Sequence, residues 1–434
     1  MTTLTKPRKE LWGGVIEFGD LEPGKYTATA EAWNAGENIL EGSGSIEITV
    51  RAGETTDCNI TMILEGETAY YSKYMILTND PNVKKLYNYT TMQEISIEDF
   101  TLGGASYNPV EDREGKIYYI IDVTLHRNGE LLSQIDTSNL IKNPLYYDSK
   151  TDSLWLASFE SNFAVKFLVF KNPSAATSNT NPSTIPYDDL NYLNNSFSCQ
   201  AFAVKEDNIY IAYNNSNILL TKKNNSSNTE ATITLSSITP TLSGEVTDMA
   251  VLEDGTVAVL VRSIGVTSET KVFDYTVLND KDTVYSRGAL VLLSSDLSKV
   301  EKVLGWTDSA RTISATGEDT ENTVKKWTSI TAYIPEYEER NSHFYGPMRI
   351  VAIRPKELVI EDCGANFVLP DYDGKKNGKI YAHNRLMTVD LRNFAISCKK
   401  EFSESELKFH NLTISGGIEA TSSSPYYGNY VDEK

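Results

Sequence analysis

The sequence predicts an all-β chain in which a small β-sandwich module (residues 1–66) precedes a β-propeller (67–434) of about six blades, within a range of roughly five to seven. Three observations predict it. Tyr occurs 25 times, Thr, Val and Ile are frequent, and Asn, Asp, Ser and Gly gather between apolar runs, as on pleated, half-buried strands separated by turns. No long stretch carries apolar residues at helical spacing. A strand-turn-strand unit recurs along the chain, most clearly in MAVLEDGTVAVLVRS (249–263), where Met249 and Val251, then Val257, Val259 and Val261, alternate around the turn Glu253-Asp254-Gly255.

Residues 12 to 64 read as the separate module. WGGVIEF, GKYTATAEAWN, SGSIEITV and TTDCNITMIL alternate apolar and polar positions (Tyr26, Ala28, Ala30, Ala32; Ile46, Ile48, Val50), with DLEPG, NAGEN and RAGE as turns. Only four or five strands fit, against about seven in a complete immunoglobulin-like sandwich. The DLEPGKYT opening and the AGETT turn resemble the small immunoglobulin-like modules of bacterial surface lipoproteins.

From Tyr70 onward the repeat takes over. Aligning the second strand of each hairpin places Ile117, Leu154, Ile209, Val257 and Leu358 at equivalent positions. Most of the spacings fall near 40 to 55 residues, the period of four short strands per propeller blade. The interval before Leu358 is about twice as long and contains a long polar insertion, so it need not hide a missing unit. KYMILTNDPNVKKLYNYT (73–90) reads as the later strands of one further unit, whose first strand is expected from LKFHNLTISG (407–416) to close the ring. The alternative is an irregular stack of sheets or a pair of sandwiches. The Asn, Ser and Thr-rich stretches 172–186 and 222–231 are expected as loops between third and fourth strands.

Charge excludes partners without nominating one. A net charge of -19 opposes nucleic acid, whose phosphates need clustered Lys and Arg, and opposes an anionic membrane surface. No window is apolar for 18 residues, so no transmembrane segment is expected. MTTLTKPRKELWGG lacks the apolar run of a signal peptide, and an export signal would lie upstream of Met1. Cys58, Cys199, Cys363 and Cys398 form no metal-binding spacing. They read as free thiols, with a Cys363 to Cys398 disulfide as the alternative in an oxidising compartment.

No catalytic constellation is recognisable and no cofactor is implied. LPDYDGKKNGKI (369–380) departs from a calcium loop at Lys375 and Asn384, where carboxylate or amide and Glu are required, and reads as two turns. His126, His343, His383 and His410 lack metal-binding spacing and read as isolated residues. Ser403 to Glu406 read as a capping box before the closing strand.

In a propeller, the connections from second to third strand and from one blade to the next emerge on one face. The long insertions 263–283, 306–345 and 363–379 all fall there, and long loops on a rigid scaffold concentrate function. Within them Trp306, Asp308, Arg311, Trp327, Tyr337, Tyr345 and Arg349 combine aromatic and charged groups suited to a glycan or peptide. The structural alternative is that Trp306 and Trp327 pack between blades.

FYGPMRIVAIRPKELVIEDCG (344–364), SRGALVLLSSDLSKVEKVLGW (286–306) and the N-terminal module together resemble the β-propeller lipoproteins of spirochaete-type bacteria, a family of unknown function. The resemblance spans nearly the whole chain, and its motifs are structural. It implies an exported, lipid-anchored protein of the periplasm or cell surface, against a cytoplasmic alternative. The expected function is non-enzymatic binding of a glycan, peptide or envelope partner. The alternatives are a polysaccharide hydrolase or lyase using Asp308 and Glu318, and a structural scaffold.

Overall fold

The computed structural model describes residues 18, 21–33, 40–56, 58, 63–64, 71–73, 75–80, 83–88, 93–95, 109–121, 124–135, 140–159, 165–177, 182–187, 198–206, 208–214, 219–224, 229–264, 285–306, 310–313, 330–333, 341–368, 379–401, 413–414 and 418–419. The chain divides into two compact units, Met1–Thr68 and Ala69–Lys434.

In the first unit, β1 (Gly24–Trp33), β2 (Leu40–Val50) and β3 (Ile63–Leu64) form one antiparallel sheet in that order. The alternation is as expected: Tyr26, Ala28 and Ala30 lie on a half-buried face, with exposed Lys25, Thr27 and Thr29 between them. Ile46, expected on the inner face of β2, is 37% exposed. Only one sheet of the expected sandwich lies among the described residues, and of WGGVIEF only Phe18 does.

The second unit opens with β4 (Tyr71–Lys73) and the three-stranded sheet of β5 (Met75–Asp80), β6 (Val83–Asn88) and β7 (Gln93–Ile95). Among the described residues three four-stranded antiparallel sheets follow, together with one nine-stranded sheet in which β4 lies between two further four-stranded units, giving five four-stranded blades. The first is β8 (Val110–Glu111), β9 (Ile117–Ile121), β10 (Thr124–Arg127) and β11 (Glu130–Gln134). The second is β12 (Leu140–Asp148), β13 (Ser153–Phe159), β14 (Val165–Lys171) and β15 (Ser183–Tyr187). The third is β16 (Ser198–Lys205), β17 (Asn208–Asn214), β18 (Leu219–Asn224) and β19 (Thr229–Thr234). The fourth is β20 (Glu245–Val251), β21 (Val257–Ile264), β22 (Tyr285–Leu293) and β23 (Val300–Leu304). After a two-stranded hairpin, β24 (Ala310–Ile313) with β25 (Ile330–Tyr333), comes the fifth: β26 (Pro347–Arg354), β27 (Glu357–Val368), β28 (Lys379–Asp390) and β29 (Ile396–Glu401). A last hairpin joins β30 (Thr413–Ile414) to β31 (Ile418–Glu419).

Each blade meanders in sequence order from its first strand to its fourth, and the first strands of successive blades lie beside one another. This is the β-propeller arrangement. The five aligned positions, Ile117, Leu154, Ile209, Val257 and Leu358, are all buried at the start of a second strand. The turn of the fourth blade forms as its residues dictate. Leu252 N donates to Thr256 O at 2.8 Å, Asp254 Oδ1 accepts from Thr256 N at 2.9 Å, and Gly255 takes φ 93°, which a side chain would oppose.

The inner strands are near-continuous apolar runs buried on both faces, as Val257 to Val261 are, so the core lies between blades. In the second blade Leu145, Tyr147, Leu154 and Leu156 meet the first blade in one cluster. Tyr146, Trp155, Ala157 and Phe167 join a larger cluster that runs on through the fifth blade. Phe202 of the third blade anchors that contact, with ring centroids 5.1 Å from Phe167 and 5.9 Å from Tyr146. Each such side chain contributes about 1.5–3 kcal/mol on burial.

Polar staples cross the same seams. Arg113 pairs with Asp152 at 2.9 Å, Asp148 Oδ2 accepts from Glu206 N at 2.9 Å, Lys205 Nζ donates to Leu252 O at 2.9 Å, and Asp248 Oδ2 accepts from Ile350 N at 2.9 Å.

Four expectations are corrected. The described part of 407–416, Thr413–Ile414, pairs with Ile418–Glu419; the first and fifth blades are instead joined through β4, which hydrogen-bonds to β26 on one side and β8 on the other. The 172–186 stretch is not simply loop: Ser183–Tyr187 is an edge strand, and Pro173–Ala175 is a 3-10 turn whose carbonyls receive Arg127, with Pro173 O at 3.0 Å and Ala176 O at 3.1 Å. In 222–231, Lys222 pairs with Ala231 across β18 and β19. The expected loop 363–379 is strand up to Val368, which pairs with Lys379. Asp373 and Lys375 of the calcium-like stretch, and Ser403 to Glu406, lie outside the described residues.

Candidate functional site

The insertions expected to carry function leave the ends of the fourth and fifth blades opposite the Glu253-Asp254-Gly255 turn. Four arginines are buried at that end: Arg262, Arg287, Arg349 and Arg385. A buried guanidinium requires a partner, because desolvation outweighs most of what a single contact returns.

Strand register supplies the partners. Arg262 and Glu245 are cross-strand neighbours and form an ion pair, and Arg262 Nη1 also contacts Met348 Sδ of the fifth blade at 2.8 Å. Arg349 faces Glu361 across β26 and β27, with Nε 3.3 Å from Oε2. Arg385 faces Asp362 across β27 and β28, with Nε donating to Oδ2 at 3.1 Å and Nη2 to His343 O at 2.9 Å. Burial opposes the charge on Arg385, and the Asp362 carboxylate more than offsets it, so its pKa lies above the ordinary guanidinium value.

Two of these guanidiniums stack on aromatic rings. Arg287 lies 3.6 Å from the Trp306 ring centroid and Arg385 lies 4.1 Å from that of Tyr345, contacts worth about 0.5–2 kcal/mol. Between the rings, Phe344 N donates to Gly305 O at 3.3 Å, and Gly288 bridges to Phe344. The two ends of the 306–345 insertion are therefore fastened together on the seam between the fourth and fifth blades.

The FYGP segment is held just as closely. Asp362 Oδ1 accepts from Tyr345 N at 3.1 Å and Gly346 N at 2.7 Å, and Cys363 N donates to Gly346 O at 2.9 Å. A Cβ on Gly346 would fall 2.6 Å from Cys363 O, so only glycine admits this approach.

Of the residues expected to grip a ligand, three meet here. Trp306 is half-buried against the core, while Tyr345 and Arg349 are buried. Arg311 sits in β24 opposite Ala332. Asp308, Trp327, Tyr337 and Glu318 lie outside the described residues. Sequence reasoning missed Arg262, Arg287, Glu361, Asp362 and Arg385. Their signal was a charge set inside an apolar strand, as in LVIEDCG and HNRLMTVD.

The thiols here are structural. Burial, then the neighbouring Glu361 carboxylate, pushes Cys363 well above its ordinary pKa, and burial also raises Cys398 and Cys199. Cys363 pairs with Asn384 and Cys398 with Met387, on strands separated by β28. Two strand spacings amount to roughly 9–10 Å, beyond the reach of about 7 Å between Cα atoms in a disulfide. The bridge left open by the sequence does not form in this fold. Among the described residues no three His, Cys, Asp or Glu side chains converge as metal ligands.

No protein-family model matches the chain, and no curated protein matches it. Similar solved structures include a protein of Bacteroides ovatus assigned as a dipeptidyl aminopeptidase IV, 9% identical over 84% of this chain and 58% of that one, with a TM-score of 0.31. This chain thus spans less than two thirds of that protein. Hsv2 of Kluyveromyces lactis is 11% identical over 77% of this chain and 99% of its own, with a TM-score of 0.28. Apo AztD from Citrobacter koseri is 10% identical over 89% and 96%, with a TM-score of 0.26. Likeness at this level carries no functional argument, and the propeller rests on the chain's own strand pairing.

Proposed function

We propose that this chain is a non-enzymatic binding protein that engages a glycan, peptide or envelope partner through the loops at the end of its fourth and fifth blades. The observation that carries the reading is the fastening of the 306–345 insertion: Gly305 bonded to Phe344, Trp306 under Arg287 and Tyr345 under Arg385. A recognition loop gains from such a mount, because fixing its ends lowers the entropy lost on binding. Trp306, Tyr345 and Arg349 belong to the mount, and Asp308, Arg311 and Trp327 are the proposed contacts.

The carboxylates of the mount are engaged in the fold: Glu245, Glu361 and Asp362 pair with arginines, and Asp248 accepts backbone amides. The finer affiliation, an exported lipid-anchored surface protein with an immunoglobulin-like module, rests on the resemblance of its sequence motifs. Mass spectrometry of the chain from its native cells tests it: an acylated mature N-terminus supports the affiliation, and an unacylated cytoplasmic chain refutes it.

A glycan array and an envelope-peptide array test the binding reading. The unaltered chain is expected to bind a discrete set of probes and Trp327→Ala to lose at least tenfold in affinity. Absence of binding, equal binding by the variant, or turnover of a bound polysaccharide would each count against it.

A further inference from the structure

The outer hairpin of the first blade carries a chemically labile pair. β10 and β11 are joined by Asn128 and Gly129 alone, with Arg127 paired to Glu130 across the turn. Both take left-handed backbone, φ 45° and 92°, the conformation that Asn-Gly adopts readily between antiparallel strands. Asn-Gly is also the dipeptide whose side-chain amide is most open to attack by the next backbone nitrogen, because glycine puts no side chain in the way.

Hydrogen bonds hold both groups that would react. Asn128 N donates to Ile117 O at 3.0 Å and Ile117 N donates to Asn128 Oδ1 at 2.8 Å, which fixes the side-chain carbonyl against β9. Gly129 N donates to Tyr119 Oη at 2.8 Å. Tyr119 is buried and stacks on His126, with ring centroids 5.5 Å apart, so this acceptor is rigidly placed. Asn128 itself is exposed to water.

We propose that Asn128-Gly129 is a site of spontaneous deamidation that Tyr119 holds in check. Gly129 N, having lost its proton to hydroxide, bonds to Cγ of Asn128, and the side-chain nitrogen takes up a proton and leaves as ammonia. Water then opens the cyclic imide to aspartate or isoaspartate. The net change exchanges NH for O, with water as the co-reactant. Ile117 N already stands where it receives the negative charge that develops on Oδ1, as an oxyanion-hole donor does. Tyr119 opposes the first step, because its hydroxyl oxygen accepts the Gly129 N–H and favours the protonated amide. The product places a negative charge beside Glu130, and isoaspartate lengthens the backbone of the turn. Both changes fall next to Arg127, which holds Pro173 O and Ala176 O of the second blade.

Incubation of the full chain at mildly alkaline pH, read by peptide mass spectrometry that separates aspartate from isoaspartate, tests the proposal. Tyr119→Phe keeps the ring and removes the acceptor. It is expected to deamidate position 128 about fivefold faster than the unaltered chain, the equivalent of one hydrogen bond of about 1 kcal/mol. The rate at Asn377-Gly378, the other Asn-Gly pair of the sequence, is expected to stay the same. Equal rates at position 128 in the two folded chains would overturn the proposal, as would equal acceleration at 128 and 377, which reports general loosening. If Tyr119→Phe fails to fold, the unaltered chain decides: position 128 must react more slowly folded than in denaturant, and an equal or faster folded rate would overturn the restraint.

Discussion

Asp362 and Arg385 form a fully enclosed ion pair: the carboxylate is 0% exposed, the guanidinium 1%, and the two residues face each other across β27 and β28. Asp362 also accepts the amides of Tyr345 and Gly346, so the pair secures both a blade and the base of the longest insertion. Removing one member strands the other charge. Arg385→Met is expected to cost about 3–5 kcal/mol in denaturant unfolding. Combining it with Asp362→Leu removes the stranded charge but leaves two backbone amides without an acceptor, so the double variant recovers only part of the loss. Full recovery would show that the amide contacts contribute nothing.

Asp248 ties the first strand of the fourth blade to that of the fifth through Ile350 N. Asp248→Ala leaves that buried donor unsatisfied and is expected to cost about 1–3 kcal/mol. Thermal or urea unfolding checks the value. A change under a few tenths of a kcal/mol would mean that apolar packing alone holds this seam.

Two aspartates titrate on opposite sides of the ordinary carboxylate range. The side-chain hydrogen bond from Arg392, joined by its backbone amide, lowers Asp390 to about 2. Its contribution to stability is present above the unfolded value and lost as pH falls through about 2. Burial raises Asp148, against the bonds from Thr151, Lys150 and Glu206. Its contribution is present below the unfolded value and lost as pH rises through the raised one. Carboxyl NMR should resolve two midpoints on either side of about 3.9, with Asp390 returning upward in Arg392→Ala. Coincident midpoints would contradict both environments.

Cysteine accessibility separates three of the four thiols. Cys58 is exposed, whereas Cys199 and Cys363 are buried and held protonated. Iodoacetamide at mildly alkaline pH should alkylate Cys58 first, with Cys199 and Cys363 reacting only on unfolding. Alkylation of Cys363 at the rate of Cys58 would show that its surroundings open readily in the folded chain.

Much of the blade architecture was legible because second strands are buried on both faces and read as apolar runs. Leu154, Ile209, Val257 and Leu358 could be aligned for that reason alone. Outer strands hid: Ser183–Tyr187 carries Pro186, and Thr229–Thr234 is rich in Thr, because an edge strand faces water and needs no apolar run. β4 is too short to show any period. At the candidate site, aromatic and charged residues in a long insertion were visible as types. The pairing of Arg349 with Glu361, and of Arg385 with Asp362, depends on strand register across residues far apart in sequence. The packing of Tyr345 beneath Arg385 depends on the same register.

The insertion itself supplies the most direct test of the binding account. Gly305 and Phe344 are hydrogen-bonded, so a short Gly-Ser turn can replace residues 309–340 while Trp306, His343 and the arginine mount remain. Binding to the glycan and envelope-peptide arrays is then compared for the shortened and unaltered chains, with thermal unfolding as the folding control. The account predicts an unchanged midpoint and binding lost by at least tenfold; undiminished binding by a folded, shortened chain would contradict it.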